Sequence, residues 1–213
     1  MDANRPNIVL TGFMGTGKTA VGKALAARSG RTFVDLDDEI FAKHGNVAEI
    51  FAEGGEEIFR EHERAVVADV ATRRNLVVAT GGGTFLDEDN VVAFLGAEIF
   101  ALNASSDEIV KRVTADGIET RPLLAGADDV DAEIDRLLEE RREAYDRFTS
   151  IDTTGKSVDR IVDEIDASGA DVSAPLDEAK TFSERKGSET TLYAIVTALA
   201  IIAIILLIVV LTF

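Results

Sequence analysis

One octapeptide constrains this chain more than any other stretch. An apolar run of strand length, Asn7 to Thr11, leads into Gly12-Phe13-Met14-Gly15-Thr16-Gly17-Lys18-Thr19, and Val21, Leu25 and Ala26 follow at helical spacing. A glycine, four residues and then Gly-Lys-Thr at a strand-to-helix junction is a phosphate-binding loop in the context it requires. The glycines let successive N–H groups turn toward one phosphate, and the helix N-terminus adds partial positive charge. Lys18 has the reach for β- and γ-phosphates, and Thr19 places a hydroxyl where a magnesium ion bridging them needs an oxygen ligand.

The loop matters more because the rest of the chain is so acidic. Asp and Glu number 39 against 22 Lys and Arg among 213 residues, a formal charge of −17. Such a surface repels a phosphate backbone and argues against general nucleic-acid binding, so any bound polyanion must meet a local basic site. Cysteine is absent, which excludes a disulfide framework, a thiolate metal site and a cysteine nucleophile. His44 and His62 have no second ligand at metal spacing and read as surface or helix-packing residues.

Further strand-length runs at Thr32–Leu36, Leu76–Thr80, Glu98–Leu102 and Ser150–Asp152 alternate with amphipathic stretches. That order predicts a parallel sheet covered by helices on both faces. The second strand ends in Phe33-Val34-Asp35-Leu36-Asp37, and strand alternation would put Asp35 and Asp37 on one side at the carboxyl end, where open α/β sheets bind ligands. One carboxylate can hold magnesium while the other receives a substrate hydroxyl. The triple glycine Gly81-Gly82-Gly83 after the third strand allows a ligand to lie against backbone. Arg60 and Glu63, three apart on a helix, are close enough for the carboxylate to orient the guanidinium.

The ordered set GFMGTGKT, FVDLD, EIFAEGGEEIFREHE, VVATGGG, Arg121-Pro-Leu-Leu124, and Glu140-Arg141 followed by Tyr145 resembles the shikimate kinase family over roughly Asn7 to Ala167. The resemblance implies a three-layer α/β fold of the nucleoside-monophosphate-kinase type with a five-stranded parallel sheet, an acceptor-binding region and a lid. It also implies transfer of the γ-phosphate of ATP to the 3-hydroxyl of shikimate, on the route to chorismate and aromatic amino acids, with magnesium and a monomeric catalytic core. Carried onto this chain, the resemblance puts ATP on Gly15, Thr16, Gly17, Lys18, Thr19 and Ala20, with Arg112 near the adenine. Magnesium would be served by Thr19 and Asp35, shikimate by Asp37, Arg60, Gly82 and Arg141, and the transferring phosphate by Lys18 and Arg121. Lys18, Asp37 and Arg121 would be the catalytic set. Two guanidiniums suit the acid end of shikimate and Asp37 its hydroxyls. The lid would be the segment from about Thr114 to Asp129, with glycines at 117 and 126 as hinges.

The chain departs from the family pattern in two places: Arg112 lies nine positions before Arg121, and Glu143 and Ala144 follow where proline and leucine are expected, which makes Arg142 a rival to Arg141 in register. Two other functions fit part of the pattern: a related kinase with a gluconate-like acceptor, and a non-catalytic, membrane-tethered nucleotide-binding protein.

Past this core the composition changes. Residues 169–191 are small and charged with no sustained apolar period, which predicts a flexible stalk. Residues 192–213 carry no charge, proline or glycine and would extend about 33 Å as a helix, one bilayer crossing. The expected organisation is therefore a kinase-like domain over 1–168, a stalk over 169–191 and a transmembrane helix over 192–213. Met1 to Pro6 is short and polar, with no export signal, so the catalytic domain is expected on the cytoplasmic side of the membrane.

Overall fold

The computed structural model describes residues 5–168 apart from 119, 120, 122 and 125. These belong to the first of two units, Met1–Pro175; the second, Leu176–Phe213, lies outside the described residues, as do the expected stalk and membrane span. Among the described residues no helix is long and apolar enough to cross a membrane.

The elements run β1 (Ile8–Thr11), α1 (Lys18–Ser29), β2 (Thr32–Asp35), α2 (Leu36–His44), α3 (Val47–Thr72), β3 (Leu76–Ala79), α4 (Glu88–Ala93), β4 (Glu98–Asn103), α5 (Ser106–Asp116), α6 (Val130–Asp146), β5 (Thr149–Asp152) and α7 (Val158–Ser168). A 3-10 turn, Thr84–Leu86, follows the triple glycine. The strands form one sheet in the order β2-β3-β1-β4-β5, and every pairing is parallel. The five strand-length runs of the sequence thus fall on the five strands, with ends displaced by one residue.

Period-two alternation distributes these strands between two cores. Val9, Val78, Ile99 and Ala101 face one cluster, built with Val66, Val67 and Val70 of α3, Ile109 and Val113 of α5, and Ile134 and Leu137 of α6. Ile8, Leu10, Val77, Phe100 and Leu102 face the other, with Val21 and Leu25 of α1 and Ile161, Val162 and Ile165 of α7. A sheet buried on both faces has no polar side, so its strands read as nearly continuous apolar runs. Each fully buried side chain of this size stabilises by about 1.5–3 kcal/mol relative to exposure.

Helix ends are set by local chemistry. Gly30, at φ 64°, closes α1 by donating its N–H to Ala26 O. The Ser105 hydroxyl caps α5 by accepting the Glu108 N–H, and Asp129 caps α6 through the Ala132 N–H. Helix α3 is interrupted at Gly55, φ 70°. His44 at the end of α2 and His62 on α3 stack with centroids 3.9 Å apart and rings 13° from parallel, a packing contact between two helices.

One expectation needs revision. Asp35 and Asp37 do not alternate along a strand. The strand stops at Asp35, whose carboxylate accepts the Asp37 N–H and starts α2, so Asp37 stands in a helical first turn. An aspartate well suited to capping ended the strand before alternation could continue.

Candidate active site

The site lies at the carboxyl ends of the strands, where the chain crosses from β3 on one side of β1 to β4 on the other. There β1 runs into the phosphate loop. Gly12 has φ 131°, and a Cβ there would stand 2.2 Å from the Leu102 carbonyl oxygen of β4, so only glycine fits. Thr16 closes the loop from within, donating its hydroxyl to Phe13 O at 2.8 Å; its side chain is buried behind the loop and does not line the cleft. Gly17 precedes α1 with no side-chain cap, which leaves the first N–H groups of α1 available to an anion.

Lys18 Nζ donates to Gly12 O at 2.8 Å and Phe13 O at 2.9 Å. Burial pushes the ammonium down to about 8, against the upward pull of the Asp37 and Asp35 carboxylates. Thr19 Oγ1 donates to Asp35 Oδ2 at 2.9 Å. A hydroxyl and a carboxylate side by side beside a phosphate loop are hard oxygen donors that fit magnesium, which would draw its other ligands from phosphate and water. Asp37 opens onto the cleft but is crowded by protein; burial, and then the neighbouring Asp35 charge, push its carboxyl up to about 6, while Lys18 opposes the rise.

Two clefts meet here. The first, about 470 Å³, is lined by Gly15, Gly17, Lys18, Thr19, Ala20, Asp35 and Arg112, among others. The second, about 270 Å³, is lined by Arg60, Glu63, Arg141 and the three glycines, with Val47, Phe51, Phe59 and Leu123 as apolar walls. Met14, Asp37, Gly82 and Arg121 belong to both linings, so the two clefts share one wall.

Arg60 and Glu63 are no ordinary surface pair. Arg60 Nη1 donates to Glu63 at 2.7 Å, and the carboxylate is only 1% exposed. Its other oxygen accepts the Thr84 hydroxyl at 2.7 Å, and Thr84 O in turn accepts from Asn90 Nδ2. The other side of Arg60 donates to Glu56, a residue 60% exposed, from Nη2 at 3.1 Å and from Nε at 3.3 Å. Gly83 lies against this guanidinium: a Cβ there would stand 2.7 Å from Arg60 Nη2 and push the arginine aside.

The structure separates the two register rivals on α6. Arg141 is 4% exposed, lines the second cleft and lies over the Phe13 ring at 5.6 Å. Its Nε is buried with no hydrogen-bond partner among the described residues, as is that of Arg121, which leaves donors for a ligand to satisfy. Arg142 is exposed and pairs with Glu139. Arg112 is held in plane: Nε donates to Glu108, Nη1 to Gly15 O and Thr153 Oγ1, and Nη2 to Thr153 O. It therefore ties the phosphate loop to the turn after β5 and still lines the first cleft.

Sequence reasoning did not pick out Thr84, Met14 or the apolar walls. Phe51 and Phe59 carried no distinguishing signal, because aromatics on a helix read as core residues.

Comparison with known proteins points to one family. The family model described as shikimate kinase matches residues 14–168. A shikimate kinase from Chromobacterium violaceum is 44% identical over 168 residues, covering 75% of this chain and 89% of that protein. Among solved structures, a shikimate kinase from Acinetobacter baumannii in complex with shikimate superposes with a TM-score of 0.71 at 33% identity, covering 76% of this chain and 92% of its own. A gluconokinase from Sinorhizobium meliloti 1021, with a TM-score of 0.50 at 18% identity over 84% of this chain and 97% of its own, shares the fold alone. With most of the chain covered by a single family model and by relatives well above 30% identity, the chain belongs to the shikimate kinase family.

Proposed function

We propose that this chain is an ATP-dependent shikimate kinase that moves the γ-phosphoryl group of ATP to the 3-hydroxyl of shikimate, on the route to chorismate and aromatic amino acids. The observation that carries this reading is the shared wall of the two clefts. A nucleotide on the phosphate loop would end at Asp37, Gly82 and Arg121, where an acid held in the second cleft by Arg60 and Arg141 would present a hydroxyl.

In that arrangement Lys18 and the N-terminus of α1 bind the β- and γ-phosphates, and Gly15, Thr16, Gly17, Thr19 and Ala20 complete the cradle. Arg60 and Arg141 grip the carboxylate, Gly82 backs the ring, and Asp37 aligns the 3-hydroxyl and accepts its proton as the new O–P bond forms. The bond from γ-phosphorus to the bridging oxygen breaks, and ADP leaves with the charge. Arg121 and Lys18 compensate charge on the transferring group. Thr19 and Asp35 would hold the magnesium ion, which supplies charge neutralisation across the phosphates. Alignment and charge compensation do most of the work in such transfers, so Asp37 need not be a strong base. Closure of the segment around Arg121 would exclude water and limit hydrolysis of ATP.

Steady-state ADP release with ATP, magnesium and shikimate tests the reading, with gluconate substituted as the competing acceptor. Turnover with shikimate, lost in Lys18→Ala through nucleotide handling and in Arg60→Ala through acceptor binding, is the expected result. Turnover with gluconate instead, or undiminished rates in both variants, would overturn it. The apolar stretch 192–213 supports a second proposal from sequence alone: a membrane-spanning helix on a stalk, holding a monomeric catalytic domain at the cytoplasmic face.

A further inference from the structure

Tyr145 stands one helical turn after Arg141 on α6, so the two side chains share a face. Arg141 lines the acceptor cleft; Tyr145, 5% exposed, does not, and lies behind it. Its hydroxyl donates to the Gly82 carbonyl oxygen at 2.5 Å, across 63 residues of sequence. Gly82 lines both clefts, and a Cβ there would meet Arg141 Nη1 at 3.4 Å and Met14 N at 3.5 Å. The middle glycine therefore occupies the narrow place between guanidinium and phosphate loop.

We propose that Tyr145 is a positioning residue for the acceptor: from behind the cleft its hydroxyl holds the Gly82 carbonyl and so sets the glycine backbone against which shikimate rests beside Arg141. This rests on the assignment of the second cleft to shikimate. A trans peptide is planar, so anchoring the Gly82 oxygen also fixes the direction of the Gly83 N–H. Three consecutive glycines have little conformational preference of their own; the turn that follows holds the Gly81 and Gly83 carbonyls through the Thr84 and Leu86 N–H groups, and the Gly82 carbonyl is held by Tyr145. Burial raises the phenol to about 12, with the charge of Arg141 and a hydrogen bond from its guanidinium pulling the other way, which keeps the hydroxyl a donor to Gly82 at any working pH. The aromatic ring belongs to the core below the sheet and would fill it equally well without the oxygen. Packing thus explains the ring, while the bond to Gly82 and the contact with the Arg141 guanidinium explain the hydroxyl.

Tyr145→Phe removes the oxygen alone. The full chain and this variant are compared for kcat and for the KM of each substrate, together with shikimate binding by calorimetry and the melting temperature. The expected result is a rise in KM for shikimate of roughly five- to tenfold, the size of the lost bond to Gly82 together with a weakened contact to Arg141, with KM for ATP unchanged. An unchanged shikimate KM in the variant would overturn the inference. So would equal rises in both KM values with a lowered melting temperature, the signature of a residue that only supports the core. Failure of the parent protein to phosphorylate shikimate would instead strike the functional reading on which this inference rests.

Discussion

Two glutamates share one arginine in this structure, and their burial predicts very different consequences of removing them. Glu63 is 1% exposed and accepts from Arg60 Nη1 and the Thr84 hydroxyl, both at 2.7 Å. Glu56 meets the same guanidinium at 3.1 Å but is 60% exposed. Breaking a fully buried ion pair costs about 3–5 kcal/mol. Arg60 is 21% exposed and can turn toward water and Glu56, so a discounted loss of about 2–3 kcal/mol is expected for Glu63→Ala. In a domain of this size that corresponds to a fall of roughly 5–10 °C in melting temperature. Glu56→Ala should cost under about 0.5 kcal/mol, the usual worth of an exposed pair one helical turn apart. Glu63→Gln, which keeps the shape and an oxygen for Thr84, should fall between. Thermal unfolding of the ligand-free protein, followed by circular dichroism, measures all three. Equal losses from Glu56→Ala and Glu63→Ala, or a neutral Glu63→Ala, would refute the claim that burial and not distance decides the value of the contact.

The carboxyl of Asp37, raised to about 6, should be protonated as pH falls through that value, leaving a poorer acceptor for a substrate hydroxyl. Shikimate binding to the nucleotide-free protein should therefore weaken from about pH 7.5 to about pH 5, and calorimetry across that range would show a flat profile if Asp37 plays no part. Nucleotide binding should weaken in the opposite direction, above about pH 8, as Lys18 loses its proton; equilibrium titration with ATP checks this. Arg112→Ala removes the tie between Gly15 O and Thr153 and should raise KM for ATP by about tenfold while leaving KM for shikimate nearly unchanged. Truncation after residue 168 should preserve turnover while abolishing recovery with the membrane fraction, as fractionation of cells expressing both forms would reveal.

Much of this site was legible because phosphate binding is solved locally. Gly12 to Thr19 are contiguous, and the loop needs only its neighbours and the helix that it opens. Strand positions were legible for a related reason: burial on both faces leaves apolar runs that no loop would carry. Asp35 and Asp37 were placed at the right end of the right strand, but their relation was misread, since a capping hydrogen bond and not strand alternation orients them.

What the sequence by itself determined is the set of local devices: the phosphate loop, the five strands, and the cationic and acidic side chains available to a kinase. The tertiary structure decided which of them converge. Arg141 rather than Arg142 reaches the cleft because the packed face of α6 selects it. Glu63 is buried because Thr84, 21 residues away, comes to meet it, and Gly82 is anchored by a tyrosine 63 residues away. Spacing along a helix constrains neighbours within a turn or two, whereas contacts between distant segments depend on how whole layers pack, and that information is spread across every apolar position of the two cores.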